Sequence, residues 1–288
     1  MLNSPIKWVG GKSRLRKHII ALLPEHTCYV EPFGGAAWVL FGKPPSPVEV
    51  LNDIDQDLIN FFRIIKTQPQ DFIESFDWTL VSRAEFERLA QQDPTHLSPL
   101  ERAHRFYYLI MAGWGGEFRY PRFQISIQDG GHGNRLIGAL KHLRERIEPI
   151  YQRLQTVIIE NLDWQTCLDK YDRPGTVMYI DPPYPNNGAN YAHNMRDLAT
   201  HQQLAERLHT TRCQWIVSSY DRPETYRLFG DYAIMPVEAA SGMRVKKDNT
   251  QRVTNREVLI TSFSPKTSTP FITNQYQLSL EPEQEQED

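Results

Sequence analysis

The chain has 288 residues, enough to bury a sizeable core as one large domain or two modest ones. Its 40% hydrophobic and 23% charged residues suit a globular protein, and no apolar run reaches the roughly 18 residues that span a bilayer. Residues 1–17, MLNSPIKWVGGKSRLRK, lack the apolar stretch of a secretory signal, so a cytoplasmic location is expected. The three cysteines, Cys28, Cys167 and Cys213, are far apart and form no CxxC pair, and the histidines have no ligand spacing. His193, His201 and His209, eight apart, read as solvated helix positions, and no metal is expected. The formal charge of −3 argues at first against a polyanionic partner, but the last eight residues, EPEQEQED, carry five acids. Between Arg102 and Arg146 stand eight Lys/Arg against three acids, which suits a phosphate footprint as well as a solvated helix face.

Along the chain, strand-like and helix-like segments alternate. RLRKHIIALL reads as a helix after a Gly-Gly turn, CYVEPF as a short buried strand, AAWVLFG as a helix and VEVLNDID as a strand closing on acids. QDLINFFRIIK has the apolar spacing of a helix. Residues 67–154 break this pattern and look mainly helical, interrupted by a loop or hairpin, GGEFRYPRFQISIQDGGHGN. Then come five short, β-branched-rich runs, TVIIE, TVMYID, QWIVSS, YAIMPV and EVLITSF, with helical stretches such as HQQLAERLHT among them. Alternation of this kind predicts a mostly parallel sheet covered on both faces. The reading divides the chain into an α/β domain (1–66 and 155–268), a helical insert (67–154) and an acidic, disordered tail (269–288).

The sharpest chemical signal is Asp181-Pro182-Pro183-Tyr184, which follows the strand TVMYI. Open α/β sheets bind ligands at the C-terminal ends of strands. Two prolines stiffen the turn. Asp181 and the Pro182 carbonyl can each accept a hydrogen bond from an amine, and Tyr184 offers a π-face to a flat base. The exocyclic amine of adenine is a poor nucleophile because its lone pair is conjugated with the ring. Two acceptors on its hydrogens would favour pyramidalisation and free that lone pair. A second signal is Glu31-Pro32-Phe33-Gly34-Gly35-Ala36, a strand, glycine turn and helix start that lets backbone approach a ligand. Asp53, an acid at the end of the next strand, occupies the place where nucleotide-type folds hold a ribose diol. Lys7-Trp8-Val9-Gly10-Gly11-Lys12 lacks the GxxxxGK[ST] spacing, which sets aside a P-loop nucleotidase.

In this order the motifs resemble those of the Dam-type adenine-specific DNA methyltransferases: KWxGGK, a glycine motif, an acid after the next strand, a recognition insert, and DPPY. The resemblance spans most of residues 5–265. It implies a Rossmann-like methyltransferase fold with a seven-stranded, mostly parallel sheet. It implies S-adenosylmethionine as cofactor, with Trp8, Lys12, Phe33, Gly34, Asp53 and Asp181 lining its pocket. It further implies double-stranded DNA as the partner and an adenine flipped out of the stack to meet Asp181, Pro182 and Tyr184. A monomer is expected. Ser218-Ser219-Tyr220-Asp221 resembles the family's loop near the target base but lacks its asparagine. Arg244-Val245-Lys246-Lys247 resembles a basic loop near the DNA, which makes Arg244 and Lys246 candidate contacts. In the insert the family's turn is altered to Gly113-Trp114-Gly115-Gly116-Glu117-Phe118-Arg119-Tyr120, followed by Arg122. Trp114, Phe118 or Tyr120 could wedge into DNA, with Arg119 and Arg122 on phosphates. The other readings of the same residues are an RNA adenine methyltransferase and a catalytically silent DNA-binding protein.

Overall fold

The structure is a computed structural model that describes residues 1–125, 133–184, 195, 197–237 and 256–265. In chain order the elements are α1 (Arg16–Leu22), β1 (Cys28–Glu31), α2 (Trp38–Gly42), β2 (Val48–Asn52) and α3 (Gln56–Thr67). Next come α4 (Pro69–Glu74), α5 (Arg83–Gln91), α6 (Pro99–Ala112), α7 (Arg135–Leu140) and α8 (Leu143–Leu154). The chain then runs through β3 (Val157–Glu160), α9 (Trp164–Tyr171), β4 (Thr176–Ile180), α10 (Leu198–His209) and β5 (Gln214–Tyr220). It closes with α11 (Pro223–Phe229), β6 (Ala233–Val237) and β7 (Glu257–Thr261). The segment 134–154 is two helices, broken at Lys141-His142, where one continuous stretch was expected.

The seven strands form one sheet in the order β3-β2-β1-β4-β5-β7-β6. Six strands run in one direction, β1–β5 pairing in parallel, and β7 alone runs antiparallel, between β5 and β6. Side chains alternate across each strand with period two, so each strand feeds two layers. Tyr29, Leu51, Tyr179, Ile216 and Leu259 face one hydrophobic cluster. Their neighbours Val30, Val50, Met178, Ile180, Val217 and Val258 face the other, which α9, α10 and α11 cover. This is the mixed α/β sheet with helices on both faces that the alternating runs predict.

The first cluster continues into the helices of residues 67–154. Phe61 and Phe62 on α3 meet Phe72 on α4 and Phe106 and Tyr107 on α6 in one network of aromatic contacts, with ring centroids 5.3–6.0 Å apart. α6 is apolar on nearly every side, and all its residues from Arg105 to Ala112 are buried, as expected of a helix with neighbours all round. Its start is fixed by a capping box, Ser98 with Glu101, and by Pro99 in the first turn. Asp57 on α3 pairs with Arg102 on α6 at 2.6 Å. Residues 113–124 return along the end of α6 as a tight loop. Trp114 N–H donates to the Arg122 carbonyl (2.8 Å) and Gln124 N–H to that of Ala112 (3.0 Å).

Candidate active site

The strand order reverses between β1 and β4, and the crevice beyond their C-terminal ends is where such sheets bind ligands. A cavity of about 590 Å³ opens there, within the range of small-molecule sites. Trp8, Lys12, Phe33, Gly34, Asp53, Asp181, Pro182 and Tyr184 all line it. Eight positions spread over 177 residues of chain are thus brought to one place by the ends of β1, β2 and β4 and by the loop before α1.

The glycine turn is built by close approach. A Cβ on Gly34 would lie 2.4 Å from Leu51 Cδ1 and 2.8 Å from the Asn52 carbonyl, to which Gly34 N–H donates at 2.7 Å. Asp53 braces the same turn. Its Oδ2 accepts from Gly35 N–H (2.9 Å) and its Oδ1 from Asp55 N–H (3.0 Å). Glu31, at the end of β1, is buried, and its Oε1 accepts from the Tyr29 hydroxyl (2.8 Å) and Leu40 N–H (2.7 Å). Burial outweighs those hydrogen bonds and the Lys43 charge, and lifts its pKa to about 7.

Asp181 is held from two sides. Lys12 Nζ lies 2.8 Å from Asp181 Oδ1, and Ser218 Oγ donates to the same oxygen at 2.8 Å. Ser218 in turn bonds the Tyr179 hydroxyl at 3.1 Å. Lys12 is buried, also donates to the Gly10 carbonyl (3.0 Å), and sits 4.8 Å from the centre of the Tyr184 ring. Burial disfavours its ammonium, yet Asp181 and Glu257 outweigh that cost and its pKa is raised. Tyr184 is 5% exposed, packs edge-on against Tyr220 at 4.5 Å and donates its hydroxyl to Glu257 Oε2 at 3.2 Å. The strand-end segment Ser218–Asp221 therefore does stand beside the DPPY motif, through Ser218 and Tyr220.

Three contributors escaped the sequence reading. Leu162–Gln165, after β3, complete the cavity wall, and Asp163 caps α9 by accepting from Thr166 N–H at 2.9 Å. An acid opening a helix after a strand was the available signal. Glu257 reaches the cavity because β7 is antiparallel, so its first residue lies at the rim where the parallel strands end. His201 is buried, not solvated as expected. Its Nε2 lies 3.0 Å from the Pro183 carbonyl and 2.9 Å from that of Met195, tying α10 to the DPPY turn.

In the loop of the insert, Trp114 and Tyr120 are exposed (44% and 60%) and Arg119 and Arg122 are exposed beside them. The Arg119 guanidinium lies 5.7 Å from the Tyr120 ring centre. Phe118 differs from the expected wedge. It turns inward onto Phe106 (4.9 Å), with Arg105 5.4 Å from its ring centre, because the end of α6 offers it an apolar seat. Arg244 and Lys246 lie outside the described residues.

Residues 8–243 match the family model of the D12 class N6 adenine-specific DNA methyltransferases. The chain belongs to this family. It is an adenine-specific DNA methyltransferase, and its motifs converge in one cavity at the switch point of a methyltransferase-type sheet. It is similar to the Type II methyltransferase M1.LlaDCHI of Lactococcus lactis subsp. cremoris, 27% identical over 276 residues that cover 89% of this chain and 94% of that protein. It is likewise similar to a DNA adenine methylase of Serratia marcescens, 29% identical over 252 residues (81% and 89% of the two chains). A third similar protein is a DNA adenine methylase of Vibrio cholerae serotype O1, 28% identical over 250 residues (81% and 87%). Among the described residues no helix is long and apolar enough to cross a membrane, and no group of three or more His, Cys, Asp or Glu could hold a metal.

Proposed function

We propose that this methyltransferase takes its methyl group from S-adenosylmethionine, works on double-stranded DNA at a specific sequence, and receives the target adenine flipped into the cavity beside Asp181. The observation that carries the reading is the cluster around Asp181. A carboxylate stands at a stiff Pro-Pro turn with one oxygen engaged by Lys12 and Ser218, beside an aromatic ring and within a cavity of cofactor size.

The lining fits the cofactor. Trp8 and Phe33 offer flat apolar surface to an adenine, Asp53 an acceptor for a ribose diol, and the glycine turn backbone at close range. Asp181 and Glu257 suit a cationic donor. When bound, the cofactor supplies an activated methyl group on a positively charged sulfur. The protein's part is to present the amine. Asp181 Oδ2 and the Pro182 carbonyl accept its two hydrogens, drawing the nitrogen out of conjugation, while Lys12 and Ser218 keep the carboxylate from turning away. The hydrogen bond from the amine strengthens as the nitrogen gains positive character, so it contributes more in the transition state than in the bound complex. The proton leaves after transfer, so no strong base is required. Positioning and exclusion of water carry most of the rate.

Duplex DNA as substrate is supported by the exposed Trp114, Tyr120, Arg119 and Arg122 on one loop. An aromatic wedge fills the space an extruded base leaves, and the arginines neutralise phosphates. Gly116 seats this loop on the segment that carries Trp8, because a Cβ there would lie 2.9 Å from the Lys7 carbonyl and 3.2 Å from the Trp8 nitrogen. One chain thus supplies both the cavity and the DNA-facing loop, which suits a monomer in the cytoplasm. Labelled S-adenosylmethionine offered with duplex DNA, single-stranded DNA and RNA tests the reading. Transfer to adenine in the duplex is expected. Preferential transfer to RNA, or binding without transfer, would overturn it.

A further inference from the structure

Asp181 alone would not leave the base site negatively charged, because a buried lysine pairs with it at 2.8 Å. An ion pair that close presents little net charge to its surroundings, yet the reaction moves a positive charge onto the adenine nitrogen. The structure supplies a second carboxylate. Glu257 Oε2 lies 3.6 Å from the same Lys12 Nζ and accepts from the Tyr184 hydroxyl at 3.2 Å. With all three ionised, Lys12, Asp181 and Glu257 sum to one negative charge. All three side chains are largely shielded from solvent, at 7%, 18% and 19% exposure, where a charge acts with less screening than in water. Glu257 pairs in register with Tyr220 on β5 and Val237 on β6, so its backbone is fixed on both sides.

We infer that Glu257 is a positioning residue for methyl transfer: by sharing Lys12 with Asp181 it leaves the base site with net negative charge, and by holding the Tyr184 hydroxyl it fixes that ring. It acts through Lys12 and Tyr184. The same charge favours a cationic donor over its neutral product. Burial raises the Glu257 carboxyl pKa, Lys12 opposes that, and Asp181 adds to it, in line with two acids competing for one cation.

This inference rests on the S-adenosylmethionine reading of the cavity. Glu257→Gln removes the charge and keeps the size and an acceptor for Tyr184. Two quantities are measured on the folded full chain: the single-turnover rate on duplex DNA, and the ratio of calorimetric affinities for S-adenosylmethionine and the neutral S-adenosylhomocysteine. A rate loss of about 10- to 100-fold is expected, together with a severalfold fall in that ratio, as suits loss of one charge a few ångströms away. Glu257→Asp, which keeps the charge, should restore most of the ratio. A Gln variant with a rate within about twofold of wild type overturns the inference. So does a slower variant with an unchanged ratio, which would make Glu257 only a strut for Tyr184. If Gln prevents folding, an Asp variant whose ratio falls despite its charge overturns it as well. Wild-type protein that transfers no methyl group sinks the underlying reading too, whereas an active wild type with an indifferent Glu257 sinks this inference alone.

Discussion

Tyr184 gives its hydroxyl to Glu257 and its ring to the cavity, so its two functions can be separated. Tyr184→Phe loses one hydrogen bond to a charged group and should slow single-turnover methylation by about tenfold or less. Tyr184→Ala also loses base stacking, worth about 1–3 kcal/mol, and should cost roughly a further 5- to 150-fold. Equal losses in the two variants would mean the ring meets no base. Asp53 has a double duty of another kind, because it braces Gly35 and faces the ligand space. Asp53→Ala should weaken S-adenosylmethionine binding with the fold retained, and calorimetry on the folded variant checks this. Unchanged affinity would remove Asp53 from the site. Glu31 makes a prediction about pH. Its carboxyl ionises near 4.5 when unperturbed and near 7 in the fold, so the folded protein holds an extra proton between those values. Its contribution to stability is therefore lost as pH rises through that window and changes little above it. Relative to Glu31→Gln, wild type should lose on the order of 3 kcal/mol between pH 4.5 and pH 8 in urea titrations. A difference that does not vary with pH would mean that Glu31 stays ionised.

At the scale of elements, the loop 113–124 joins an exposed surface to the backbone of Lys7 and Trp8. Gly116 has φ +77 and packs on the Lys7 backbone, so Gly116→Ala imposes left-handed strain and a clash together. It should cost about 1–2 kcal/mol or more and weaken DNA binding. Charge reversal at Arg119 or Arg122 should weaken DNA binding and reduce the salt slope by about one unit per lost phosphate contact. Binding identical to wild type at every salt concentration would place the DNA elsewhere. Much of this architecture was legible, since strands, helices and strand-end motifs are contiguous patterns of apolar period, caps and turn residues. Asp55 before α3 and Ser98 with Glu101 at α6 are signals of that local kind. What was not legible depends on pairing at a distance. Nothing near Glu257 in sequence says that its strand runs antiparallel between β5 and β6, which alone brings it to Lys12. Phe118 looked equal to Trp114 and Tyr120 until Phe106 on α6 supplied a place to bury it. His201 has the helical spacing of a solvated residue, and only the DPPY turn packed over it makes it a buried partner of Pro183.

Across the whole molecule, the parallel sheet delivers Glu31, Asp53 and Asp181 to one edge. The antiparallel β7 adds Glu257, and the loop 113–124, proposed to face the DNA, packs through Gly116 on the segment that carries Trp8 and Lys12. Trp8 itself packs on Phe106 of α6, with centroids 6.0 Å apart, so the cavity wall and the helices of 67–154 share packing. The cavity motifs converge on Asp181, which pairs with Lys12 and, in the proposed mechanism, faces the amine. The most direct measurement is the single-turnover rate of Asp181→Ala and Asp181→Asn on duplex DNA with saturating S-adenosylmethionine, the product being identified as N6-methyladenine. Both variants should fold and bind cofactor. The Ala variant should yield no detectable product. The Asn variant should yield at most a trace, because it keeps an acceptor but forfeits the charge that makes such a hydrogen bond roughly twice as strong. An Asp181→Ala protein that methylates adenine near the wild-type rate would contradict the account.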